Sequence, residues 1–245
     1  MKNLLLLISV LGALVVGFVI GRWSVPLPVA AAEKELLQKS APKAPRHGQS
    51  EAFPDLIKRT TGSQVIAFDQ GNPVHDEILK VISEAAAVTT AHFNQRPSPL
   101  AQVKRINEAS RYFEDQLLQT IDDQPAFSCR RPLNREGKVQ HSGYPDLQVT
   151  HHQSGTVAYL DPKLFKLGTE GSSFRSFYFQ PNPKTLKVNT DALHLLLGFS
   201  HDGKPRRWRF QSAKVVDLSQ LSLTLKEEYA ASNKELYQKA LPAAN

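Results

Sequence analysis

Two acids and a lysine fall at spacings that can make one reaction centre. Asp146 follows Tyr144-Pro145 at the head of an apolar strand, Leu147 to Thr150, and Asp161 and Lys163 close the next strand, which runs from Thr156 to Leu160. Side chains two apart along a strand share a face, so Asp161 and Lys163 address the same space. In an antiparallel pair the start of the first strand lies beside the end of the second, and Asp146 joins them. Paired carboxylates hold a hard divalent cation through oxygen, and an ammonium beside them orients a water or offsets charge developing on a phosphate. That combination suits phosphodiester hydrolysis. No other stretch repeats the order: Pro54-Asp55 has no acid-x-Lys soon after it, Glu136-Gly137-Lys138 precedes the Pro-Asp, and Asp202-Gly203-Lys204 reads as a turn. Pro162 stands between the second acid and the lysine; lacking an N–H, it predicts a strand that ends or lies at an edge there.

Several elements must hold these residues in place. Gln64 to Phe68 reads as a short strand ended by Gly71-Asn72-Pro73. From His75, apolar residues at Ile78, Val81, Ile82, Ala85 and Ala86 mark one face of a helix that Pro97 and Pro99 terminate, and its first-turn acids favour the helix dipole. Val103, Ile106, Ala109, Phe113, Leu117 and Leu118 stripe a second helix, with Glu108, Glu114 and Asp115 on or near its flanks. After Asp122-Asp123-Gln124-Pro125 the pattern changes to short apolar runs: 147–150, 156–160, 174–179, 193–199 and 208–216, with Asp202-Gly203 as a hairpin signal between the last two. Leu218 to Tyr237 reads as a closing helix, at least from Lys226. Helices, then strands, then a helix predict an α/β fold with a mixed central sheet flanked by helices.

The chain of 245 residues carries a net charge of +7, which favours a polyanionic partner, either nucleic acid or an anionic lipid surface. The single cysteine, Cys129, excludes an intrachain disulfide and reads as a small core residue. Asn3 to Gly21 has no charge and is long enough to span a bilayer as a helix, with Lys2 before it and Arg22-Trp23 after it. Small residues at Val29 to Ala32 offer a cleavage site, but the apolar run is long for a removed signal. The expectation is a single N-terminal transmembrane anchor over residues 1–25, a flexible tether over 26–49 and a folded domain over 50–245. The protein would then be a single-pass membrane protein, its domain on the extracytoplasmic side.

With Asp146 matching the Pro-Asp acid and Asp161 and Lys163 matching the acid-x-Lys pair, the chain resembles the PD-(D/E)XK nuclease superfamily, the fold of many type II restriction endonucleases. Glu114 matches the helix-borne acid of some members. The downstream runs Ser172 to Phe177, Thr185 to Val188 and Asp191 to Phe199 also resemble the blunt-cutting branch, so the likeness covers roughly Ala101 to Asp217. It implies hydrolysis of DNA with Mg2+, or Mn2+ in its place, in a domain that often acts as a homodimer. Asp146, Asp161 and Glu114 would be metal ligands and Lys163 would handle the nucleophilic water.

Two basic clusters could grip DNA backbone: Arg206, Arg207, Arg209 and Lys214 with Lys204, around Trp208 and Phe210, and Arg130 and Arg131 with Arg135 and Lys138. Solvated strand faces account for such runs as often. His151-His152 reads as a solvated pair, and His194 and His201 lack partners at zinc-ligand spacing. Two further readings stand beside the nuclease: a catalytically inactive module of the same fold that binds DNA or an envelope partner, and an anchored structural protein in which the two acids cap strands. Cleavage separates the first from both; salt-sensitive DNA binding separates the second from the third.

Overall fold

The computed structural model describes residues 48–140, 142–172, 177, 179, 182–226, 232, 234 and 235. Strand β1 (Ser50–Ala52) leads into helix α1 (Phe53–Thr61), followed by β2 (Val65–Ile66), α2 (Pro73–Phe93), a 3-10 turn (Ile106–Ala109) and α3 (Ser110–Asp122). Strands β3 (Phe127–Arg130), β4 (Leu147–His151), β5 (Val157–Lys166), β6 (Ala192–His201) and β7 (Phe210–Asp217) come next. A 3-10 turn (Leu218–Gln220) and β8 (Ser222–Thr224) complete the described elements.

The sheet is mixed, in the order β2-β6-β5-β4-β3, with β7 sharing the edge of β6 that β2 uses. β3, β4 and β5 are antiparallel neighbours, β5 and β6 are parallel, and β7 runs antiparallel to β6. One face of the sheet, carrying Leu147, Val149, Ala158, Leu160, Leu195 and Leu197, packs against the apolar stripes of α2 and α3. On the other face Tyr159 and Ala192 pack with Tyr144, Val188 and the α1 residues Phe53 and Ile57. The alternation of the strands thus feeds two cores.

Local chemistry fixes the helices. Asn72 caps α2, its side-chain oxygen accepting from the Val74 and His75 N–H groups at 3.0 and 3.4 Å, with Pro73 in the first turn where no N–H is needed. At the end of α3 the Asp122 carboxylate accepts the Cys129 N–H at 2.9 Å, tying helix to strand β3. α1, which the sequence reading missed, is opened by Pro54 and closed by Gly62 in the left-handed conformation (φ 81°).

Several expectations change. The segment 1–25, read as a transmembrane helix, lies outside the described residues, and among the described residues no helix is long and apolar enough to cross a membrane. α2 is long, but its first turns carry Asp76, Glu77 and Lys80, so it is amphipathic rather than apolar throughout. Among the described residues the architecture is a mixed α/β sheet flanked by helices with no membrane-spanning helix, which corrects the expected transmembrane fold and, with it, the single-pass membrane localisation with an extracytoplasmic domain. The closing segment from Leu218 begins as a 3-10 turn and then a strand, because β8 finds an edge partner in β1, with Ala52 opposite Ser222. Most of the remainder, and most of the run 174–179, lie outside the described residues.

Strand β5 does not stop at Pro162. It continues to Lys166 along β6. The His151 N–H donates to the Thr156 carbonyl at 2.9 Å, and stepping by two from there directs the N–H groups of Ala158 and Leu160 toward β4. The missing N–H of Pro162 therefore falls on the β4 side, one step beyond Leu147, where β4 begins. No ladder bond is lost, so a central strand carries a proline.

Candidate active site

The register of β4 and β5, with Leu147 opposite Leu160, places Asp146 opposite Asp161 at the mouth of the pair. The Lys163 ammonium contacts both carboxylates, lying 2.6 Å from Asp161 Oδ2 and 3.5 Å from Asp146 Oδ2. All three side chains project from the face opposite the α2–α3 core. The trio predicted from spacing is one cluster in space.

Behind it the turn is anchored by a buried pair. Tyr144 Oη lies 2.7 Å from His194 Nδ1, and the two rings stack with Phe53 edge-on to both. Burial holds the His194 imidazole down at about 3, so it is neutral, and raises the Tyr144 phenol well above its ordinary range. This apolar floor fixes the chain just before Pro145-Asp146. No sequence signal separated His194 from an ordinary strand histidine; its role depends on a contact fifty residues away.

Asp161 is 2% exposed. Burial raises its carboxyl above the usual range, Lys163 opposes that shift, and Asp146 adds to it. Although Lys163 is close, Asp161 Oδ2 accepts no hydrogen bond of proper direction among the described residues. A buried anionic oxygen without a directed donor is costly unless something else meets it.

Glu114, on α3, stands further out. Its carboxylate is 3.8 Å from an Arg131 nitrogen, and Arg131 also bonds Asp115. Burial raises the Glu114 carboxyl first and the field of Asp146 second, while Arg131 and Lys163 pull it down. Glu114 is thus in electrostatic reach of the acid pair, yet among the described residues no group of three or more His, Cys, Asp and Glu side chains is close enough to hold a metal ion. Asp146 and Asp161 alone offer paired, hard oxygen donors. That suits a Mg2+ site, which commonly takes one or two carboxylates and completes its shell with water and phosphate.

The basic residues separate into two regions. Arg130 lies on β3 at one edge of the sheet, and Arg206, Arg207, Arg209 and Lys214 lie on or before β7 at the other. Arg131 is occupied by Glu114 and Asp115, and an Arg209 nitrogen donates to the Asn94 carbonyl at 3.0 Å. Trp208 and Phe210 are core residues, with the Trp208 indole N–H bonded to the Val103 carbonyl at 3.0 Å. Arg130 lines an open trough of about 480 Å³ together with Gln148, Tyr159 and Arg135. By strand period, Gln148 and Tyr159 are one step from Asp146 and Asp161 on the same face.

Other candidates resolve into structure. His151 is buried rather than solvated: its Nε2 is 3.0 Å from Glu77 and its Nδ1 2.9 Å from Ser154 Oγ. Cys129 is buried, and burial pushes its thiol up to about 12, far from a nucleophile. The residue that spacing did not suggest is Lys187. It is 2% exposed and lies within the fields of Asp146, Asp161 and Glu114.

A mixed sheet with two carboxylates opposed across adjacent antiparallel strands, and a lysine two residues after the second, matches the arrangement of the PD-(D/E)XK, restriction endonuclease-like class of nucleases. Residues 46–240 match the model of the Type II restriction enzyme MjaV family, and the chain belongs to that family. It is 28% identical over 204 residues to the Type II restriction enzyme MjaV of Methanocaldococcus jannaschii, an alignment covering 78% of this chain and 86% of the relative.

Proposed function

We propose that this chain is a DNA endonuclease that hydrolyses phosphodiester bonds with Mg2+, or Mn2+ in its place, at Asp146, Asp161 and Lys163. The supporting observation is the Lys163 ammonium seated on both carboxylates, 2.6 and 3.5 Å away, with one of them buried and short of directed hydrogen bonds. Membership of a type II restriction enzyme family supports DNA as the substrate.

A bound divalent cation would supply positive charge to the scissile phosphate and make a nearby water more acidic. Asp146 and Asp161 would hold it, and the Glu114 carboxylate, within the field of Asp146, would add negative charge beside them. Lys163 would orient the attacking water and stabilise the charge that accumulates on the phosphate oxygens. Water oxygen bonds to phosphorus as the bond to the leaving 3′ oxygen breaks, leaving a 5′-phosphate and a 3′-hydroxyl. Arg130, lining the trough one strand step from the acids, is placed to meet a neighbouring phosphate. Arg206, Arg207 and Lys214 would contact backbone at the opposite sheet edge, and Arg131 would act through Glu114. A homodimer, usual for the class, would present two such sites to the two strands.

The test is cleavage of duplex DNA by the purified chain with Mg2+, beside Asp146→Ala and Lys163→Ala. Cleavage should require Mg2+ and fall by about 10²–10³-fold or more in each variant, the range for a lost electrostatic stabiliser. Full activity in either variant would remove these residues from the reaction.

A further inference from the structure

Lys187 is a charged side chain with almost no access to water, and the chemistry above does not use it. Its ammonium donates to the Gln140 carbonyl at 3.3 Å and makes no direct ion pair among the described residues. The segment that carries it is pinned on three sides. The Leu186 carbonyl accepts from the Arg135 N–H at 3.1 Å, the Asn189 N–H donates to Tyr159 Oη at 3.0 Å, and the Asn189 amide donates to the Leu133 carbonyl at 2.8 Å. Val188, fully buried, packs with Tyr144 and Tyr159 beneath the acid pair. The ammonium is therefore held in place rather than free to leave.

What offsets its charge is the acid cluster. Burial lowers the Lys187 pKa, and the carboxylates of Asp146, Asp161 and Glu114, in that order, pull it back up, while Lys163 adds to the lowering. Around the centre, three acids face three cations: Lys163, Lys187 and Arg131, the last shared with Asp115 at the rim. A cluster already near charge balance attracts a divalent cation less than two bare carboxylates would.

Resting on the reading of Asp146 and Asp161 as the cation site, we infer that Lys187 is a positioning residue whose fixed ammonium holds down the cation affinity of that pair until a substrate phosphodiester adds negative charge. Cation and substrate would then bind the centre together more readily than the cation binds alone.

The measurement is Mn2+ binding to the full chain without DNA, followed by the electron paramagnetic resonance of free Mn2+. Removing the charge in Lys187→Met should tighten binding by about tenfold or more, as loss of a nearby like charge in a poorly screened site requires. Lys187→Arg should return it toward the native value. Lys187→Gln makes the same neutral comparison if the methionine variant does not fold, with near-UV circular dichroism as the check. Native Mn2+ affinity in a folded neutral variant overturns the inference. Binding that is lost in Asp146→Asn and Asp161→Asn but unchanged in Lys187→Met rejects only the role of Lys187. Binding that survives both asparagine variants rejects the cation site itself, and this inference with it.

Discussion

Two acid–base pairs in this molecule are built to opposite ends. Between β1 and α1, Arg59 meets Glu51 with two parallel hydrogen bonds, Nε to Oε1 at 3.0 Å and Nη2 to Oε2 at 2.8 Å. Each carboxylate oxygen there has a directed donor, the geometry in which a guanidinium matches a carboxylate best. Between Asp161 and Lys163 the contact is shorter, 2.6 Å, yet among the described residues the buried oxygen accepts no directed hydrogen bond, and a second carboxylate crowds the same ammonium. The first pair is complete by itself. The second has spare anionic oxygen in a place water hardly reaches, a disposition that stabilises a ligand better than it stabilises the fold.

That contrast can be broken by exchange of single atoms. Asp161→Asn should lower cleavage by about 10³-fold or more, comparable to the loss of a strong electrostatic stabiliser, while raising the thermal midpoint of the cation-free protein. It should also abolish any rise in that midpoint on adding Mg2+. Calorimetry with and without Mg2+, beside a cleavage assay, checks all three; a large loss of stability in Asp161→Asn would mean that the pair is structural after all.

The neutral pair beneath the site sharpens the comparison through pH. His194 titrates at about 3 in the fold, against 6.5 for the free side chain, so between those values the unfolded chain binds more protons. Stability is therefore full above about pH 6.5 and falls as pH drops, by at most about 1.4 kcal/mol per unit from this group. Acid titration of stability should be shallower in His194→Phe across that window. Equal slopes would show that His194 does not carry the effect.

The smallest effect belongs to the complete pair. Arg59→Ala should cost about 1 kcal/mol of stability, the upper range for a well-aligned pair near the surface, and leave cleavage unchanged. Urea unfolding measures the first and the same cleavage assay the second. Lost cleavage with intact folding would connect α1 to the reaction rather than to the second core alone.

Much of the centre was legible because its geometry is short-range. Period two put Asp161 and Lys163 on one face, and one antiparallel pairing brought Asp146 opposite, so three residues needed one non-local assumption. The stripe of α2 was equally plain: Ile78, Val81, Ile82, Ala85 and Ala86 are all buried. Pro162 misled because its consequence depends on which side of β5 its absent N–H faces, and that is a matter of register with β4. Leu218 onward misled because short segments take strand geometry when an edge such as β1 is available, whatever their helical spacing.

Lys187 and His194 show where local reading stops. A lysine between Leu186 and Val188 carries no mark of burial beside carboxylates, and a histidine in an apolar strand carries no mark of a tyrosine partner. The sequence by itself determined the trio of Asp146, Asp161 and Lys163, the apolar faces of α2 and α3, and the mixture of helices and strands. Periodicity and turn chemistry act over a few residues, and those features need no more. Only the tertiary structure decided the parallel pairing of β5 with β6, the accommodation of Pro162, the separation of the basic residues to opposite sheet edges, and the burial of Lys187 and His194. Each depends on contacts between segments far apart in the chain, which close only when both cores form.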